Sequence, residues 1–308
     1  MQPDEKWIFG ITPDTRVGKA ARYSLRLRLD AIWKLLPLAA ERSHEDIEYI
    51  HQLRVLTRRS IAVLDLYDPV LRRKASRRMR KTLKQIRRAA GDARDMDVLA
   101  LNMKDDAEPD HEVLSARVAR LRRRAQRPVR QIHRHLSRGK RWERHVGRLL
   151  RKPRGRRRER GRERFRPWAC RRMKKIVRDF FRSSPETIHD IEGLHRFRIE
   201  GKRLRYAIEI LAAAFPAALR VEVYPRIEAL QEKLGEIHDR HVAIRRFQNW
   251  AAETDNRSEK NQLLRLADAD ATRLSSLVEE FRAWWSPKYQ ADLQRKFRKI
   301  VRRAEQRC

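Results

Sequence analysis

Ile47–Arg59 reads IEYIHQLRVLTRR and Ile191–Arg203 reads IEGLHRFRIEGKR; each position of the second lies 144 residues after its counterpart in the first. A second pair keeps the same offset: GDARDMDV from Gly91 and GEIHDRHV from Gly235. Two matches at one offset, with no gap between them, point to a duplicated unit. The spacing is too long for a solenoid, whose repeats run to about 20–50 residues. Around the first motif, Ile50, Leu53, Thr57, Ile61 and Leu64 advance by three or four. Around the second, Ile191, Leu194, Phe197, Leu204, Ile208 and Leu211 form the apolar stripe. That is the period of a helix buried on one face. No stretch alternates long enough to read as a strand, so the expected fold is all-α: two pseudo-symmetric helical bundles built from a duplicated four-helix-type unit.

Working outward, a first helix is expected from about Thr15 to Ala40, with Tyr23, Leu27, Ile32, Leu35 and Leu36 among its apolar positions. Ser43 or His44 opens the next helix, and Asp68-Pro69 stops it, because proline disfavours helical geometry in the residue before it. A third helix covers Leu71 to Ala90, with Gly91-Asp92 as cap and restart. Helices over Asp92–Met103 and Pro109–Leu150 follow, and Asp92 and Glu236 are expected to begin the helices after Gly91 and Gly235. Like charges and two glycines make the arginine-rich stretch after Leu150 read as a flexible link. The resulting division is a first bundle over 12–150, a linker over 151–167, a second bundle over 168–286 and a basic tail over 287–308. Leu293, Phe297, Ile300 and Val301 share one face of that tail.

Composition narrows the function. The 308 residues carry 76 Lys plus Arg against 41 Asp plus Glu, a formal charge of +35, which implies a polyanionic partner. Only ten glycines are present, few for phosphate-binding glycine loops. No window approaches the ~20 apolar residues of a membrane span. The opening MQPDEKWIFGITPDT lacks the layout of a signal peptide, so a cytoplasmic protein is expected. Cys170 and Cys308 cannot make a disulfide framework or a zinc site unaided. Nucleotide-binding glycine motifs, HExxH and GxSxG are absent, and no catalytic residue, metal or cofactor is expected.

The candidate site lies on the motif helices. His195, Arg198, Lys202 and Arg205 step by three, four and three, with Arg203 alongside. His51, Arg54 and Arg58 make the equivalent stack, with Arg59 matching Arg203. Like charges at these spacings repel by a few tenths of a kcal/mol per pair, which bound anions would offset. A solvated face is the alternative for any single charge run; repetition of the same residue order favours binding. A third stack, Arg77, Arg80, Lys84 and Arg87, precedes the Gly91 turn, whereas the partner segment Val221–Leu234 has only Arg226 and Lys233, with Arg220 just before it. The first half should therefore hold more of the anion. The two motif histidines read as donors to phosphate oxygens, with packing as the alternative. A zinc site needs three or four converging ligands, and His238 and His241 occur in one copy only. Asp95 and Asp239 read as partners that hold a guanidinium in place.

IHQLRVLTRRSIAVLDLY, AAGDARDMDVL, LHRFRIEGKRLRYAIEIL and LQEKLGEIHDRHVA, in that order, resemble the CHAD domain, the conserved histidine α-helical domain, over about Thr12 to Trp285. The resemblance implies two four-helix-type bundles with a basic groove between them. It further implies binding of inorganic polyphosphate, association with polyphosphate granules and no catalysis by the domain itself. The ExExK signature of the often fused CYTH domain is absent, so this looks like a stand-alone member. By motif position His51, Arg54, Arg58, Arg59, His195, Arg198, Lys202, Arg203 and Arg205 would line the groove. Thr57 stands where the second copy has Gly201, so helix approach is expected to differ between the halves. Sequence-independent nucleic-acid binding is the rival reading, but single-stranded sites stack bases on aromatics and the basic stacks contain none.

Overall fold

Heptad-like burial along nearly every segment produces helices, and the computed structural model, which describes residues 6–105, 112–185 and 190–307, has no strand among them, only one isolated bridge between Arg16 and Arg164. The long helices are α1 (Val17–Glu41), α2 (Glu48–Leu66), α3 (Arg73–Ala89), α4 (Gly91–Asp105) and α5 (Glu112–Ser137). They are followed by α6 (Arg141–Leu150), the short α7 (Arg156–Arg160), α8 (Phe165–Arg182) and α9 (Ile191–Leu211). α10 (Tyr224–Glu253), α11 (Arg257–Trp284) and α12 (Pro287–Glu305) complete the chain. No helix among the described residues is long and apolar enough to cross a membrane. The chain divides into two compact units, the first comprising Lys6 and Asp14–Phe165, the second Trp7–Pro13 and residues 166–307.

In the first unit α1 buries Val17, Ala21, Leu25, Leu29, Ile32 and Leu36. Tyr23 and Leu27, expected among its apolar positions, point to solvent because each sits about 200° around the helix from Leu25. α2 starts later than Ser43 or His44: the Asp46 carboxylate accepts from the Glu48 backbone N–H at 2.8 Å. The expected single helix up to Leu150 is broken at Gly139 and Lys140, which adopt φ of 59° and 53° and separate α5 from α6. Its expected start, Pro109, lies outside the described residues. Beyond the break Trp142 stacks on Trp33, centroids 5.4 Å apart.

The arginine-rich link packs against the first unit through its backbone. Its carbonyls complete the start of α1, where Arg16 provides no side-chain cap: Val17 N–H donates to Glu163 O and Gly18 N–H to Gly161 O, both at 2.9 Å. These N–H groups have no partner inside the helix, so the link supplies what the sequence around α1 lacks. Approach is close enough that a Cβ on Gly18 would stand 3.2 Å from the Gly161 carbonyl oxygen. Phe165 N–H adds a bond to Thr15 O at 2.9 Å, and Arg157 donates to the carbonyls of Asp68 and Leu71. These hydrogen bonds run through backbone carbonyls and are invisible in a charge pattern.

In the second unit Phe180 of α8 stacks on Phe197 of α9 at 5.0 Å, and Trp285 lies against both. The segment Trp7–Pro13 joins this core: Trp7 packs on Tyr224 at 4.8 Å, while Ile8 and Ile11 are buried. Gly201 brings α9 close to α10, since a Cβ there would overlap the Gln231 amide. At the matching place in the first unit Thr57 is buried and returns its hydroxyl to Leu53 O at 2.9 Å. Gly235 neither caps nor restarts a helix; α10 passes straight through it, so Glu236 begins nothing.

The tail, too, belongs to the fold. Leu293, Phe297, Ile300 and Val301 of α12 are all buried, with Phe297 edge-on to Phe181. Ion pairs fix its rim: Arg226–Asp292 at 2.6 Å, Lys296–Glu222 at 3.1 Å and Lys174–Glu305 at 2.6 Å. Phe297→Ala should destabilise the protein by about 3–5 kcal/mol, as for other buried phenylalanines. Urea denaturation reads this as a lower midpoint; an unchanged midpoint would make α12 an appendage.

Candidate functional site

In the first unit the exposed side of α2 meets the end of α3 and the start of α4. Arg54 lies across that junction and donates from Nη1 to Arg87 O, in the last turn of α3, at 3.4 Å. Gly91 makes the room, since a Cβ there would stand 3.2 Å from the same nitrogen. Burial, then the cations Arg58, Arg87 and Arg94, work against the charge on Arg54, while Asp95 favours it. The His51 imidazole is held below its ordinary range by burial first, then by Arg94, Arg58 and Arg54, with Glu48 opposing them. Buried guanidinium nitrogens of Arg58 (Nε) and Arg94 (Nη1) have no hydrogen-bond partner. Unmet charged donors of this kind are costly. His51, Arg54, Arg58, Arg87 and Arg94 thus converge from three helices.

The second unit builds its own cluster from two helices. His195 of α9 and His238 of α10 place their Nδ1 atoms 3.2 Å apart, a spacing that suits one protonated and one unprotonated nitrogen. Arg198 reaches Asp239 at 3.7 Å, the guanidinium-holding role expected of that aspartate. Burial, followed by the charges of Arg198, His195, Lys202 and His241, pushes His238 down to about 4. His241 is lowered by burial, then by Arg245 and His195. Among the described residues no three His, Cys, Asp or Glu side chains gather as a metal-binding group.

Several residues expected in the stacks stand elsewhere. Arg59 is buried. Arg203 pairs with Glu200 at 3.3 Å and with Asp179 of α8 at 3.8 Å. Arg205 is enclosed between Tyr206 and the buried Glu209, whose carboxylate also accepts from the Tyr224 hydroxyl at 2.8 Å. For Arg59 and Arg203 the reason is rotational: at about 100° per residue, the position eight beyond the histidine falls about 80° to one side of it, while Arg54 and Arg198 fall about 60° to the other. Arg205 lies within about 20° of Arg198 and is withdrawn by its own partners, Glu209 and Tyr206. Arg80 is tied to Asp65 at 2.7 Å, and Lys233 lies over the Trp284 ring at 5.6 Å. Arg77, Lys84 and Arg87 remain exposed and make no ion pair among the described residues. Sequence reasoning missed Arg94 and passed over His238 as a partner. Both occupy the fourth position of the second matched segment, a signal that was present at the 144-residue offset.

A family model described as CHAD domain matches residues 24–248. The fold is similar to the crystal structure of the CHAD domain from the plant Ricinus communis, with a TM-score of 0.69 at 20% identity, covering 94% of this chain and 93% of that one. It is also similar to PptA from Streptomyces chartreusis, TM-score 0.61 at 17% identity, covering 88% and 99% respectively. At such identities these likenesses speak for the fold alone. No curated protein matches the chain.

The depressed histidines make a stability prediction. A folded state that holds His238 near 4 binds fewer protons than the unfolded chain, whose histidines titrate near 6.5. Stability is therefore lost as pH falls from about 6.5 towards 4, and His51 and His241 act in the same direction. Thermal unfolding at pH 7 and pH 5 should show the loss, and His238→Gln should reduce it. An equal loss in the variant would remove His238 from the account.

Proposed function

The chain belongs to the CHAD domain family, and from that premise we propose that it binds inorganic polyphosphate, without catalysing a reaction on it, through one basic face on each unit. The observation that carries the reading is the convergence of Arg54, Arg58, Arg87 and Arg94 around a histidine held low in its range. Polyphosphate presents roughly one charge per phosphate and no bases. Arginines that fork onto two oxygens suit it, and release of its counterions strengthens attachment. The first unit, with Arg77, Lys84 and Arg87 exposed beside the motif helix, takes the larger share of the chain. The reading carries with it association with cytoplasmic polyphosphate granules. Sequence-independent nucleic-acid binding uses much of the same electrostatics, but the side chains gathered on these faces include no Phe, Tyr or Trp on which bases would stack.

Two outcomes are expected. Replacing Arg54, Arg58, Arg198 and Lys202 by Gln removes four of the +35 charges. It should weaken polyphosphate binding about 100-fold or more, because hydrogen bonds to charged groups are worth about 1.5–3 kcal/mol each. Replacing the exposed Arg257, Lys260, Arg265 and Lys288 removes the same charge and should do far less. Equal losses would reduce the binding to diffuse electrostatics, and duplex DNA competing as well as polyphosphate at physiological salt would overturn the ligand class. The second outcome concerns pH. Bound phosphates favour the charged histidines that the free protein disfavours, so binding takes up protons and affinity rises as pH falls from about 8 to 6. Gln at His51 and His238 should flatten that slope, as titration calorimetry at several pH values would show.

A further inference from the structure

The motif face touches α3 at its C-terminal end, through Arg87. At the opposite end, Arg73, about 20 Å away along a helix rising 1.5 Å per residue, the first unit has a cavity of about 580 Å³. Its wall joins the first turn of α3 (Arg73, Lys74), the end of α6 (His145, Arg148) and the link (Arg151, Arg154). A second cavity of about 290 Å³ adjoins it, sharing Pro153 and Arg157. Arg16, Lys19 and Arg22 at the start of α1 line this second cavity, together with Arg158 and Arg162. Among the described residues neither wall includes an Asp, a Glu, a Phe, a Tyr or a Trp. The first turn of α3 likewise contains no acid and no side-chain cap.

These cations do not drift apart, because the link that carries many of them is pinned through its backbone. Gly161 O and Glu163 O hold the start of α1, and Arg157 is bonded to the Asp68 and Leu71 carbonyls. Repulsion is built in, and among the described residues the carboxylate that reaches these cations is Asp68, 3.7 Å from Arg157 alone. An anion that touches successive arginines would relieve it, and two adjoining cavities suit a chain better than a single phosphate. With no aromatic surface, the walls offer nothing to a base.

We propose that the two cavities form one track for an inorganic phosphate chain, a second binding site on the first unit that shares no residue with the motif face. It goes beyond the function proposed above and stands or falls separately from it. The arginine-rich link is then part of a binding site, and removing its arginines is no neutral control for charge.

His145 reports on the track locally. It bonds to Thr82 at 3.4 Å. Burial lowers its proton affinity first, followed by Arg78 of α3, Arg148 and Arg144 of α6, and His135 of α5. In proton NMR of the full chain, with His145→Gln and His51→Gln assigning the two imidazole signals, saturating tripolyphosphate should move the His145 signal. Its titration midpoint should rise by about one pH unit, a tenfold gain in proton affinity. Arg73→Gln, Arg151→Gln and Arg154→Gln together should abolish that response while leaving the His51 response and the melting temperature unchanged. The four motif-face substitutions should leave the His145 response in place. A His145 signal unmoved by tripolyphosphate overturns the track, as does an undiminished response in the track variant. So does a response to single-stranded RNA of equal charge with none to tripolyphosphate. His51 unmoved while His145 responds would instead overturn the motif face and leave the track standing.

Discussion

The constraint on which this structure depends is the mutual repulsion of its cations. A chain of +35 gains from folding only where helix packing places carboxylates and carbonyls against guanidinium groups, or where it leaves the remaining cations facing outward. The core elements show the first solution. Arg205 is enclosed with Glu209 and Tyr224 inside the second unit, and Arg240 reaches Asp270 at 2.5 Å between α10 and α11. In the first unit Arg122 of α5 meets the buried Asp97 of α4. Such pairs add little net stability once desolvation is counted, but removing one partner strands a charge.

What pairing leaves over is organised. On the motif face of the first unit Arg54, Arg58 and Arg94 are half-buried, where repulsion is screened less than in water. Arg54 shows how such a residue is held without neutralising it: a helix-end carbonyl accepts its hydrogen bond, and a glycine leaves room for its guanidinium. A carbonyl fixes position at only a partial charge, so the guanidinium keeps most of its attraction for an anion. Fixed geometry with unspent charge is what a phosphate ligand requires.

Helix period made the all-α fold and the inward faces of the motif helices legible, because apolar spacing depends only on local geometry. His51, Arg54 and Arg58 were readable for the same reason, lying within about 60° of one another on α2. Arg59 and Arg203 were misplaced because proximity in the sequence was read as proximity on a face; Arg205 has the helical spacing of the stack but is withdrawn by the buried Glu209. The packing of the link was not legible for a different reason: it is made by the carbonyls of Gly161 and Glu163, and every residue type has a carbonyl. In the tail the apolar face was plain, but amphipathicity says only that a face will be covered, not by what. Pairings such as Arg226–Asp292 join residues far apart in the chain and leave no local trace.

The placement of Trp7–Pro13 in the second unit has a consequence for synthesis. Trp7 packs on Tyr224, 217 residues further along the chain. At ~5–20 residues per second, translation separates their appearance by about 10–40 s. During that interval Trp7, Ile8 and Ile11 have been made, and the surface they will cover has not. The first unit can pack as it emerges, whereas the second cannot close until its oldest and its newest segments meet. A newly made chain therefore passes through a state in which Trp7, Ile8 and Ile11 stay uncovered until Tyr224 and its neighbours have been added.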